Sequence, residues 1–183
     1  GRIRNLQGQP YKVFSAFKRA FMKDSLSLIR PLVAQPHPQN RITVEPDLSL
    51  LIDLEGKVET NGSSWEHRWP AGEQLAHDRL ARFESQSIDK YDKHRDIPSI
   101  EGTSEISPYL AVGAISTRQC LQLTVQKSGV FLGAANQGVS TWINELIWRE
   151  FYRHLLFDYP KLCCFKQFKQ DTDRLPWRHD EIL

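Results

Sequence analysis

Residues 142–154 read W-I-N-E-L-I-W-R-E-F-Y-R-H. No Pro or Gly interrupts them, and apolar residues recur at helical spacing, so the stretch commits the chain to a long helix. That helix lacks a consistently polar side. Projected at about 100° per residue, Ile143, Ile147, Phe151 and Leu155 form one stripe, expected to be core. Glu145, Trp148, Arg149 and Tyr152 fall on a second sector roughly 100° wide, flanked by Trp142, Leu146 and Arg153. An acid, a guanidinium, a phenol and an indole are costly to bury without partners. Two readings follow: the groups satisfy one another in an interhelical network, or they meet a flat ring that needs stacking and hydrogen bonds together.

The rest of the chain is also helical in pattern. In 11–30, Phe14, Phe17 and Phe21 make an aromatic stripe beside Ala16 and Ala20, predicting an amphipathic helix that packs on a core. Pro31, Pro36, Pro38, Pro46 and Pro70, with Asn61-Gly62-Ser63-Ser64, make 31–70 a connector with little regular structure. From Gly72, Leu75, Ala76, Leu80, Ala81 and Phe83 predict a second helix, followed by a polar loop over 87–101. Ser107 reads as an N-cap with Pro108 at the first helical position, and Gly113 as the stop. Ser116 and Gln119 match a capping box for a helix running to about Gln126. Lys127-Ser128-Gly129 and Ala134-Ala135-Asn136-Gln137-Gly138 read as breaks. The long helix is expected from about Ser140 to Leu156, stopped by Asp158-Tyr159-Pro160, with an irregular or briefly helical tail after Cys164. No strand pattern or internal repeat is visible.

Composition narrows the function classes. The chain has 183 residues, 40% hydrophobic and 25% charged, with a formal net charge of +2. It has no apolar run of roughly 18 residues, so no membrane span is expected. Lys12, Lys18, Arg19, Lys23 and Arg30 cluster early, and Arg149, Arg153, Lys161, Lys166, Lys169, Arg174 and Arg178 late; a basic face and ordinary solvated helix faces both fit. Cys120, Cys163 and Cys164 form neither a disulfide framework nor a zinc motif. They are read as packing residues in a reducing, cytoplasmic compartment, and no metal site is expected. The first residue, Gly1, and the unpunctuated end at Leu183 suggest a trimmed or an excised segment.

Thr103, Ser104 and Ser107 crowd a turn at the start of a helix. Such a turn either caps the chain or offers donors to a phosphate. No G-K-[ST] and no G-x-G-x-x-G is present, which excludes an ordinary P-loop or dinucleotide fold within this chain.

Taken together, N-E-L-I-W-R-E-F-Y-R-H-L-L at 144–156 and G-T-S-E-I-S-P-Y-L-A-V-G-A-I-S at 102–116 resemble two distinctive segments of the DNA photolyase and cryptochrome family. P-Y-K-V-F-S-A-F-K-R-A-F at 10–21, W-P-A-G-E at 69–73 and Y-D-K-H-R-D-I-P at 91–98 match in the same order, most like bacterial photolyases acting on cyclobutane pyrimidine dimers. The resemblance implies a mainly α, multi-helical fold. It makes 1–68 an interdomain connector with one amphipathic helix, and 69–183 the N-terminal part of a helical FAD-binding domain. It implies light-driven DNA repair: excited, reduced FAD passes an electron to a pyrimidine dimer flipped out of the DNA.

Carried over residue by residue, Tyr91, Thr103, Ser104, Glu105, Ile106, Ser107, Trp142, Glu145 and Arg149 correspond to FAD-contacting positions. Glu145 and Trp148 correspond to the catalytic pair on the dimer, by hydrogen bonding and stacking. Arg95, Arg149 and Tyr152 join them at the DNA side, and Trp177 corresponds to the outer member of an electron-transfer chain. The resemblance leaves an antenna pigment (folate or deazaflavin), the other flavin contacts and the inner tryptophans outside this chain. The segment alone is therefore expected to hold FAD weakly or not at all and to repair nothing, and the whole protein to be monomeric. A cryptochrome-like blue-light photoreceptor and a helical module without cofactor are the alternatives; the Glu145–Trp148 pair favours repair.

Overall fold

The computed structural model describes residues 3–28, 65–128, 136–169 and 171–172. Residues 31–64 of the expected connector, Gly129, Arg30, Arg174, Arg178 and Trp177 lie outside them, whereas Lys127 and Ser128 of the expected break continue a helix. The described residues form α1 (Phe14–Leu28), α2 (Trp65–Arg68), α3 (Glu73–Gln86), a 3-10 turn (Ile88–Lys90), α4 (Tyr91–His94), α5 (Ser107–Val112), α6 (Thr117–Ser128), α7 (Gln137–Asp158) and a closing 3-10 turn (Pro160–Cys164). No strand occurs among them, and no helix is long and apolar enough to cross a membrane. The fold is mainly α, as the periodicity predicts.

α7 is the axis. Ile143, Ile147 and Phe151 are buried in it, and Leu155 packs partly against the same core. Trp142 and Leu146, placed at the edge of the polar sector by projection, are buried as well. Each large apolar side chain fully removed from water contributes ~1.5–3 kcal/mol, so this helix anchors the domain. α1 lies against it through Phe17, whose ring meets Phe151 at 5.2 Å and His154 at 4.9 Å. At the far end of α7, Arg4 donates to Asp158 at 2.5 Å, tying the start of the described chain to the same helix.

α7 begins at Gln137, three residues before the position that the sequence suggests. The Asn136 side chain accepts from the Gly138 N–H at 2.8 Å and caps it. Gly138, which reads as a breaker, is instead a close-approach residue: a Cβ there would stand 2.2 Å from the Ile88 carbonyl oxygen. The 3-10 turn and α4 press onto α7 at this point. They occupy the segment expected to be a polar loop, and bury Ile88 and Tyr91. Two buried residues in a short polar stretch give no periodic signal, which is why a turn of helix there escapes a sequence reading.

Other expectations shift in the same way. α3 buries Ala76, Leu80 and Phe83, a narrower arc than predicted, while Leu75 and Ala81 are exposed. Arg68 closes a helical turn inside the stretch expected to be irregular. Ser107 does not cap α5. Ile106 holds the cap position without a side-chain cap bond, because burying Ile106 in the core fixes the entry of the chain, and Ser107 is the first helical residue. Gly113 ends α5 at φ 79°, where glycine carries no steric penalty. The capping box forms as predicted: Gln119 N–H donates to the Ser116 hydroxyl at 3.2 Å, and the Gln119 amide oxygen accepts from Ser116 N–H at 2.7 Å. Cys120 is buried, but Cys163 and Cys164 are exposed, so packing explains only the first.

Candidate functional site

The second sector of α7 is brought together as the projection predicts, and its groups find partners from elsewhere in the chain. Glu145 accepts from Arg95, at the end of α4, at 2.5 Å. Arg95 also lies 3.4 Å from Asp96 and over the Tyr91 ring. The hydrogen bond to Glu145 holds the Arg95 guanidinium above its ordinary value. Burial raises the Tyr91 phenol, the nearby Arg95 cation only partly offsetting it. Arg149 donates to the Leu110 carbonyl at 3.0 Å and to the Thr117 hydroxyl at 3.4 Å. It thereby satisfies a carbonyl near the end of α5 that has no partner within the helix.

Trp148 is held by rings. Phe14, the first residue of α1, lies flat on it, with centroids 3.5 Å apart and planes 7° apart. Tyr152 stacks at 5.6 Å and 24°, and Phe151 meets the indole edge-on. Tyr152 itself is largely exposed. Trp142 is different: it is buried against Phe83 at 5.4 Å and belongs to the core.

The hydroxyl turn is built on Glu105, which adopts a left-handed conformation at φ 49°. Its carboxylate accepts from Arg68 and Arg79, each at 2.5 Å, and its carbonyl accepts from the Trp69 indole N–H at 2.9 Å. Arg79 donates also to the Arg68 carbonyl. Partial burial alone would raise the Glu105 carboxyl, but the hydrogen bonds and charges of the two arginines outweigh it and hold the group below its ordinary value. Gly102 seats the turn against α4, since a Cβ there would stand 2.5 Å from the His94 Cβ and 2.9 Å from its backbone. Around this frame Thr103 and Ser107 are exposed, Ser104 is half-buried and Ile106 is core. The turn is thus fixed beside the element that carries Arg95.

Arg68 and Arg79 escaped the sequence reading. They lie 37 and 26 residues from Glu105, and their surroundings read as connector and helix surface. No group of three or more candidate metal-ligating side chains occurs among the described residues.

No protein-family model matches the chain. Curated proteins do. It is 35% identical to the deoxyribodipyrimidine photo-lyase of Escherichia coli K12, over 97% of this chain and 36% of that protein. It is 34% identical to the Vibrio cholerae photo-lyase, over 98% and 37%, and 30% identical to that of Neurospora crassa, over 98% and 31%. Among solved structures, a bacterial class III photolyase from Agrobacterium tumefaciens superposes with a TM-score of 0.73 at 27% identity, over 99% of this chain and 37% of that one. The chain therefore spans about a third of the length of these relatives.

Proposed function

We propose that this chain, which belongs to the photolyase family, supplies one wall of the flavin and DNA pocket of a light-driven enzyme that splits cyclobutane pyrimidine dimers. The observation that carries the reading is the arrangement on α7: Glu145 and Trp148 lie one turn apart, both half-buried at the border of its core stripe, with Arg95 bonded to the acid. A base turned out of DNA needs an acceptor for its ring N–H and a flat apolar surface, and this pair offers both. Arg95 donates to Glu145 and holds its carboxylate in place. Arg95 and Tyr152 would meet DNA phosphate as cationic and phenolic donors, and Arg149 would line the pocket floor.

The hydroxyl turn has donors suited to FAD. Thr103 and Ser107 are exposed on a turn whose shape is fixed by Glu105 and its two arginines, and that turn seats phosphates better than a mobile loop would. Ser104 and Arg149 complete the donor set. Tyr91, Ile106 and Trp142, all buried, would contribute by packing behind the pocket. Bound FAD would supply light-driven electron donation; the protein's part is to orient the dimer and exclude water. Trp177 belongs to this reading as an outer electron relay. The protein works in the cytoplasm as a monomer, and this chain assigns no residue to a folate or deazaflavin antenna.

Because a third of a relative provides one wall, the 183-residue chain is expected to purify without stoichiometric flavin and to leave dimers intact under blue light. The test of function is dimer loss from an irradiated oligonucleotide by a protein in which this segment replaces its counterpart in the Escherichia coli relative. Light-dependent repair that falls at least about a hundredfold in Trp148→Ala and Glu145→Ala supports the reading. A flavin-loaded chimera whose repair is indifferent to both substitutions sinks it.

A further inference from the structure

Trp148 has two ring faces, and the structure accounts for both. Phe14 and Tyr152 both stack on the indole, at 3.5 and 5.6 Å, yet make no ring contact with each other. Two rings so close on one face would overlap, so they take opposite faces. Tyr152 lies one turn toward the C-terminus of α7 and Glu145 one turn toward the N-terminus. Side chains of a helix lean toward its N-terminus, so Tyr152 covers the trailing face of Trp148. The remaining face looks back toward Glu145, and Phe14 covers it.

We infer that Phe14 is an aromatic gate: it occupies the indole face on which a base bonded to Glu145 would stack, and it must swing away for such a base to bind. This rests on the reading of Glu145 and Trp148 given above. The contact is suited to displacement. A near-parallel, centred sandwich is a less favourable ring arrangement than an offset or edge-on one. Phe14 is also the first residue of α1, and helix ends open more readily than their interiors. Phe17, one turn on, is buried and holds α1 in place while Phe14 moves. While the gate is closed the apparent affinity for a base is lowered by the fraction of molecules closed.

The experiment uses the full chain labelled with fluorotryptophan, the Trp148 fluorine resonance being identified by its loss in Trp148→Phe. The probe is a single-stranded oligonucleotide carrying one cyclobutane thymine dimer. Phe14→Ala and Phe14→Leu, both folded by circular dichroism, should bind it about threefold to tenfold more tightly than the parent chain, with a larger Trp148 shift. Phe14→Leu keeps an apolar contact but cannot stack, so it decides the matter should Phe14→Ala unfold. Weaker or unchanged binding in Phe14→Leu, with binding lost in Trp148→Ala, overturns the gate and leaves the pocket reading intact. No dimer-dependent shift at Trp148 in any form, or binding unaffected by Trp148→Ala, overturns both.

Discussion

The two flanks of α7 belong to one helix but are held by different physics. On one, Ile143, Ile147 and Phe151 meet neighbouring elements through contact of apolar surface. On the other, Glu145, Trp148 and Arg149 each have a partner that a ligand could replace: a guanidinium, a phenyl ring, a carbonyl. The first flank fixes where the helix sits. The second is satisfied without a ligand, which is how a set of costly groups persists on a folded surface until something else binds.

This contrast can be broken or sharpened in order of effect. Gly138→Ala is the severest test, because Gly138 lies in line with Glu145 and brings the tight packing of the 3-10 turn onto the second flank. Helix propensity alone favours Ala by ~1 kcal/mol, but the added methyl would meet the Ile88 carbonyl oxygen at 2.2 Å. We expect the clash to win and cost ~3 kcal/mol in urea unfolding. A neutral or stabilising result would show that the 3-10 turn is not seated on α7.

Glu105 comes next. Its carboxyl is held below the ordinary value in the folded state, so its contribution is fully present above the unfolded value of ~4.3 and is lost as pH falls through the lower folded value. Glu105→Gln should therefore cost ~1 kcal/mol at neutral pH and nothing once the carboxyl is protonated. Urea midpoints of the two proteins, compared from neutral to acid, should converge; a constant gap would mean that the arginine clamp acts through shape rather than charge. The smallest effect is expected at Tyr152, which is 55% exposed: Tyr152→Ala should change stability by less than ~0.5 kcal/mol while weakening DNA binding. A large loss of stability would move Tyr152 from the adaptable flank to the packed one.

Much of the helical frame was legible from periodicity. The Phe14–Phe17–Phe21 stripe, the Ser116–Gln119 capping box and the Ile143–Ile147–Phe151 stripe depend on residues within a turn or two of one another, where chain geometry alone sets the outcome. The errors fell where burial overrode local preference. Ile106 took the cap position from Ser107, Ile88 and Tyr91 turned a polar loop into helical turns, and Gly138 served close packing rather than a break. The candidate site was legible as a set of residues on one helix face, but not as a set of partnerships.

By itself the sequence determined the helices, the two-faced character of 142–154 and the family resemblance, because each is written in short spacings and contiguous motifs. Only the tertiary structure decided that Arg95 holds Glu145 across 50 residues, that Arg68 and Arg79 clamp Glu105, and that Phe14 covers Trp148. Such pairings depend on how helices dock, and docking is set by complementary buried surface summed over the whole core, which no local window of sequence contains.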